Sequence, residues 1–215
     1  MIVVPAIIPY TKKQLEDEIN KVAGFARLVQ IDISDGIFTP TKTWPYNGKD
    51  RDFFESLKKE EVGRSDSLGT ENSGRTSKSL QTRTSWPQWQ DLEFEIHLMV
   101  KSPENIVLDW INTSPSTIVA HIEATDNFQK VIDICRMRGV KIGLAIKPST
   151  DISCIKPFVS GVDFIQVMGN DLLGKHGVPL DPKAIDVVKS LQKLYPERII
   201  AIDIGVTEET EAVLI

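Results

Sequence analysis

Two aspartates close apolar runs. Arg27-Leu28-Val29-Gln30-Ile31 leads into Asp32-Ile33-Ser34-Asp35-Gly36, and Ile199-Ile200-Ala201-Ile202 leads into Asp203-Ile204-Gly205. An apolar run that ends in an acidic residue and glycine reads as a buried strand delivering a carboxylate to the edge of a sheet. Two carboxylates at matching strand ends are what a proton-transfer enzyme on a barrel or an open parallel sheet needs. The competing reading is that each aspartate caps the turn that follows it.

The elements that must position these carboxylates alternate along the chain. Strands are expected over about Ile2–Ile8, Leu28–Ile33, Phe94–Val100, Thr117–Ile122, Val140–Ile146, Val162–Met168 and Ile199–Ile204. Helices are expected over Lys12–Gly24 behind a Thr11 cap, over Asp50–Glu60, and from Ser102-Pro103-Glu104 with serine as cap and proline in first position. Further helices are expected from Thr125 or Asp126 to Met137, over Asp151–Val159, over Asp181–Leu194, and from Glu208 on. About seven β/α units in alternation imply a parallel sheet with right-handed crossovers. Near-continuous apolar strands imply burial on both faces. The α/β class and a (β/α)8 TIM barrel lacking its last β/α unit fit best. A doubly wound open sheet is the alternative, weakened by the lack of a glycine-rich turn after the first strand.

Composition sets the remaining bounds. The 215 residues suit one sizeable domain, 1–215, with 41% apolar and 26% charged residues. A net charge of −5 argues against a general nucleic-acid binder, and no apolar run is long enough to span a bilayer. The Met-Ile-Val-Val-Pro start lacks the basic region of a signal peptide. Cys135 and Cys154 form no metal-spaced motif and read as reduced thiols, so a cytoplasmic location is expected. Residues Gly63–Thr84 are rich in Ser, Thr, Gly and Arg and read as a disordered insertion.

Five segments carry a family likeness. They are Gln30-Ile31-Asp32-Ile33-Ser34-Asp35-Gly36-Ile37-Phe38-Thr39-Pro40, Glu95-Ile96-His97-Leu98-Met99-Val100, His121-Ile122-Glu123-Ala124-Thr125, Gly143-Leu144-Ala145-Ile146-Lys147-Pro148-Ser149-Thr150 and Ala201-Ile202-Asp203-Ile204-Gly205-Val206. In this order they resemble the ribulose-phosphate 3-epimerase family. The resemblance implies a ribulose-phosphate-binding barrel that interconverts ribulose 5-phosphate and xylulose 5-phosphate with one divalent metal ion: zinc, iron, manganese or cobalt. It implies that Asp32 and Asp203 are the acid/base pair of an enediolate mechanism and bind the metal together with His97. It implies that Met99 and Met168 line the substrate, and that Gly174, Gly177 and Gly205 lie at its phosphate. A phosphorylated sugar is then the partner, with no nucleic acid or membrane, and a homo-oligomer is possible.

Several positions depart from the family. Its second ligand histidine falls at Gln30, a serine at Ala6, a methionine at Ser34 and a glycine at Ile204. The eighth strand, source of its last phosphate contacts, has no counterpart. These departures keep two alternatives open: a non-catalytic phosphosugar-binding barrel, or an enzyme acting on another sugar phosphate. His121 and Lys147 read as structural, and His176 as an exposed loop residue.

Overall fold

The computed structural model describes residues 2–46, 92–175, 177–207 and 210. The helix expected over Asp50–Glu60, the Gly63–Thr84 insertion, His176, and the segment after Thr207 apart from Thr210 lie outside the described residues.

Seven strands form one sheet: β1 Ala6–Ile7, β2 Leu28–Ser34, β3 Glu93–Met99, β4 Thr117–His121, β5 Lys141–Ile146, β6 Phe164–Met168 and β7 Ile199–Asp203. Each pairs in parallel with the next, in the order β1 to β7. A doubly wound sheet reverses its strand order at a switch point. The strictly sequential order here removes that alternative and leaves a (β/α) barrel without its last unit. Curvature follows from one distance. Asp32 on β2 and Asp203 on β7 are five strands apart, yet their carboxylates lie within 4.8 Å of a common neighbour and of each other. In a flat sheet five strand spacings would separate them by about 24 Å.

Alternation along each strand divides its side chains between two environments. Ile31, Ile33, Ile96, Leu98, Ile118, Ile142, Leu144, Ile165 and Val167 face outward and join the main apolar cluster. The helices α1 Lys12–Val22, α2 Val107–Ile111, α3 Phe128–Met137 and α4 Pro182–Leu194 cover that face. They contribute Leu15, Ile19, Trp110, Ile132, Val188 and Leu191. Each fully buried aliphatic or aromatic side chain here contributes about 1.5–3 kcal/mol. The residues of opposite parity point inward and include many polar ones: Gln30, Asp32, Glu95, His97, Thr117, His121 and Gln166 are all buried. The shell between sheet and helices therefore stabilises the fold, which leaves the lumen free to hold polar side chains. Along β7 all residues but the exposed Ile199 are half-buried, whereas β4 is buried throughout. Among the described residues no strand pairs with the outer edge of β7.

Helix starts show where local rules held. Thr11 caps α1, its Oγ1 accepting the Gln14 N–H at 3.0 Å, and Asp181 caps α4 ahead of Pro182. Three expectations need correction. Ser102 adopts a left-handed conformation (φ 53°) and makes no side-chain cap; Pro103–Asn105 is a 3-10 turn before α2. The cap of α3 is Asn127, because Thr125 donates its hydroxyl to Glu104 and accepts the Asn127 N–H. The helix expected over Asp151–Val159 is instead two 3-10 turns, Ile152–Ile155 and Val159–Gly161. Strand β1 is also shorter than its apolar run, since Pro5 and Pro9 flank it. Among the described residues no helix is long and apolar enough to cross a membrane.

Candidate functional site

The two aspartates of the strand-two motif have different jobs. Asp35 lies past the strand, and its carboxylate accepts the backbone N–H groups of Ile37, Phe38 and Lys101, so it is the turn cap. Asp32 points into the lumen. Its Oδ1 accepts the Gln30 side-chain amide at 2.9 Å and lies 3.1 Å from His97 Nδ1. Register explains the contact, since Asp32 is paired directly with His97 across β2 and β3. Asp203, the last residue of β7, arrives from the other side. Its Oδ2 lies 3.4 Å from His97 Nδ1, 3.0 Å from Gln30 Nε2 and 3.1 Å from Gln166 Nε2.

The four side chains suit a divalent cation. Ligands of a tetrahedral zinc stand about 3.4 Å from one another. Asp32, His97 and Asp203 offer three ligand atoms within 4.8 Å of one another, and the His97 edges of that triangle measure 3.1 and 3.4 Å. The Gln30 amide tip, 2.9, 3.0 and 3.5 Å from the three, occupies the fourth corner. Its NH2 group donates to both carboxylates; turned over, the amide would present its oxygen instead.

Burial and mutual contact set the charges. Burial pushes the Asp32 carboxyl above its usual range, and the hydrogen bond from His97 offsets only part of this. Burial also opposes ionisation of Asp203, but the hydrogen bond and charge of His97 outweigh it and hold this carboxyl below its usual range. Burial pulls the His97 imidazole down, yet its bonds to Asp203 and Asp32 raise it to about 10. The pair is thus uneven, with one carboxyl biased toward the acid and one toward the base.

Glu95 sits one inward position below His97 on β3, and burial raises its carboxyl to about 7 from 4.5. The folded state then holds a proton that the unfolded chain has released. Its stabilising effect is complete below pH 4.5 and is lost as pH rises through about 7. In the presence of a chelator, Glu95→Gln should leave stability unchanged at pH 4 and raise it at pH 8 by on the order of 2–3 kcal/mol. Urea midpoints of both proteins across this range check it; equal pH profiles would show that Glu95 is not buried as a carboxylate.

A cavity of about 190 Å³ opens beside the cluster, lined by Asp32 and Asp203 together with Met99, Met168, Gly174, Gly177 and Gly205. Met99 and Met168 pack with Leu173, Phe38 and Ile204 in a small apolar group apart from the main core. Gly174, Gly177 and Gly205 all have positive φ. At Gly205 a Cβ would also run into the backbone of Pro179 and Leu180. Ile204 is in the same left-handed region (φ 77°), unusual for a β-branched residue, where the conformation costs roughly 1–2 kcal/mol. Of the residues expected at the site, His97 and Gln30 do not line this cavity; they contact Asp32 and Asp203, which do.

Three residues of this neighbourhood escaped sequence reasoning. His121 Nε2 lies 3.1 Å from His97 Nε2, and His121 Nδ1 lies 3.1 Å from Glu123 Oε2. Gln166 donates to Asp203. The signal was parity: Gln166 precedes Met168 by two residues on β6, and His121 follows Val119, the register partner of His97, by two on β4. His121, expected from the sequence to be structural, contacts His97 and lies against the cluster.

Comparison with known proteins agrees with the geometry. Residues 78–215 match the model of the ribulose-phosphate 3 epimerase family, which is more than half of the chain. The chain belongs to the ribulose-phosphate 3-epimerase family. It is 32% identical over 117 residues to the ribulose-phosphate 3-epimerase of Schizosaccharomyces pombe, covering 54% of this chain and 51% of that protein. It is 29% identical over 119 residues to that of Treponema pallidum, covering 54% of each. The chain thus spans about half the length of these curated relatives. Among solved structures, a mutant tryptophan synthase α-subunit from Pyrococcus furiosus superposes with a TM-score of 0.59 at 14% identity, covering 98% of this chain and 82% of that one. That likeness shows the fold alone. Asp32 and Gln30 precede the residues matched by the family model, so for this family member it is the structure that unites them with His97 and Asp203.

Proposed function

We propose that this barrel, residues 1–215 as one domain, epimerises C3 of a pentulose 5-phosphate, interconverting ribulose 5-phosphate and xylulose 5-phosphate. The observation that carries the reading is the meeting of Asp32 and Asp203, from β2 and β7, against His97 Nδ1 at the wall of one cavity. Epimerisation beside a ketone removes a proton from one face and returns one to the other through a planar enediolate. Asp203, held ionised, takes the C3 proton onto its carboxylate; Asp32, biased toward its acid form, gives a proton to the opposite face. The reverse reaction exchanges the roles.

Asp32, His97, Asp203 and Gln30 would hold a divalent ion, and their spacing fits one. Such an ion would supply positive charge where the enediolate develops negative charge. Met99 and Met168 give the planar carbon skeleton an apolar, polarisable cover that carries no competing proton. Gly174, Gly177 and Gly205 let a phosphate approach the backbone closely.

One observation favours a binding-only barrel. The Gln30 NH2 bridges both carboxylates, and so compensates them without a metal. Deuterium uptake at C3 of ribulose 5-phosphate in deuterated water, with manganese or zinc titrated in, separates the readings. Uptake with formation of xylulose 5-phosphate is expected. Binding of the sugar phosphate without uptake, at every metal concentration, would favour the binding-only barrel. Uptake with a different sugar phosphate alone would reassign the substrate.

A further inference from the structure

We propose that Glu123 and His121 form a buried relay that fixes the ring plane of His97 and accepts its Nε2–H, so that its Nδ1, which donates to Asp32 and Asp203 in the metal-free cluster, is the nitrogen freed for a bound cation. The inference rests on the reading of His97 as a metal ligand, and it assigns positioning roles to two further residues.

The tautomers follow from the partners. The Glu123 carboxylate is held by three groups: its Oε1 accepts the Lys147 backbone N–H at 2.8 Å and the Thr150 hydroxyl, and its Oε2 lies 3.1 Å from His121 Nδ1. An ionised carboxylate only accepts, so Nδ1 of His121 carries a hydrogen. Nε2 of His121 faces Nε2 of His97 at 3.1 Å. Two ring nitrogens in contact share one hydrogen. A His97 that ligates a cation through Nδ1 is neutral and carries its one hydrogen on Nε2, so His97 supplies it and His121 Nε2 accepts it. The rings lie 20° from parallel with centroids 5.1 Å apart, a geometry that an edge-to-edge hydrogen bond between the Nε2 atoms fits. Both histidines are fully buried, so water cannot substitute for either partner.

With its Nε2–H committed, His97 has one nitrogen left for the cluster. Metal-binding histidines ordinarily donate their second N–H to a carboxylate or carbonyl, which orients the ring and raises its basicity. Here a second imidazole is inserted between the ligand and the carboxylate. Phe38 packs on His121 at 5.0 Å between centroids, and the ammonium of Lys147 lies 5.1 Å above the Phe38 ring. The β4 strand end and the β5 loop thus position a residue of β3.

The test uses Glu123→Gln, His121→Phe and His121→Gln, each compared with the unmodified protein. In Glu123→Gln the Lys147 and Thr150 donors claim the amide oxygen, which turns the NH2 toward His121 Nδ1. That reverses His121 to its Nε2–H form and leaves His97 no acceptor. In His121→Phe the ring volume stays and the acceptor goes; in His121→Gln an amide oxygen can replace it. Nitrogen-15 chemical shifts at fixed neutral pH report the tautomers. Zinc and manganese titrations by calorimetry report affinity. The expected result is Nδ1–H on His121 in the unmodified metal-free protein and reversal in Glu123→Gln. Metal binding should weaken about 10–100-fold in Glu123→Gln and His121→Phe, and His121→Gln should recover most of it. Unchanged metal affinity and an unchanged His121 tautomer in folded Glu123→Gln would overturn the relay. If His121→Phe does not fold, Glu123→Gln decides alone. If the unmodified protein binds no metal, the His97 ligand reading fails, while the His121 tautomer still decides whether the relay exists.

Discussion

Asp32→Asn and Asp203→Asn should each lower conversion of ribulose 5-phosphate to xylulose 5-phosphate by about 10²–10⁴-fold. Inversion at C3 requires a proton carrier on each face, and the two carboxylates reach the cluster from different strands, β2 and β7, against His97 Nδ1. Neither can serve the other's face. Asparagine keeps the size and an acceptor for the Gln30 amide, so the lumen is not emptied; it removes the exchangeable carboxyl proton and one negative charge. Each variant should fail in its own way. The remaining aspartate can still take a proton from its face and put it back, so exchange without inversion is restricted to one epimer, and to the opposite epimer in the two variants. Deuterium uptake into each pentulose phosphate, followed separately, reads this pattern. Thermal unfolding checks that the variants are folded. Wild-type conversion by either variant would mean that its carboxylate carries no proton and that the family likeness reports fold alone.

The sequence made the barrel legible because its strands keep their outward positions apolar, and because each ends at a recognisable polar signal. Strands β2 to β7 fall within about two residues of their expected limits. Local helix starts were less legible, since several polar residues in a row compete to cap. Thr125, Asp126 and Asn127 all qualify by type, and the choice fell to Asn127 because Thr125 is bonded to Glu104, a contact across the fold. The convergence of Asp32, His97 and Asp203 was anticipated from strand position together with family likeness, and parity along the strands explains it. His121, Glu123 and Gln166 were missed for a physical reason. Their partners sit on other strands, and strand tilt brings nitrogens together that register alone does not pair: His97 stands opposite Val119, two positions short of His121. A histidine read singly looks like core. Its role shows only when the ring nitrogens at both ends can be followed to partners.

Gln30→His should tighten zinc binding by at least about tenfold and raise epimerisation with it. The Gln30 amide already occupies the fourth corner of the donor set, so a side chain of similar reach can place an imidazole nitrogen there without moving β2. Imidazole is a better ligand than a neutral amide oxygen for zinc, whereas manganese tolerates oxygen donors. The gain should therefore be larger for zinc than for manganese. The same substitution has an opposite effect without metal. The native NH2 donates to Asp32 and Asp203 together and screens two carboxylates that share one buried site. A neutral imidazole has one N–H and cannot bridge both with the same geometry. In chelator, Gln30→His should unfold at a lower temperature than the native protein; with zinc, it should gain more. The pair of shifts distinguishes a ligand exchange from general stabilisation, which would raise both temperatures. Equal zinc affinity in the two proteins would show that position 30 does not reach the ion. A fall in epimerisation despite tighter zinc binding would show instead that the amide, by bridging the carboxylates, is part of how this chain sets their proton balance.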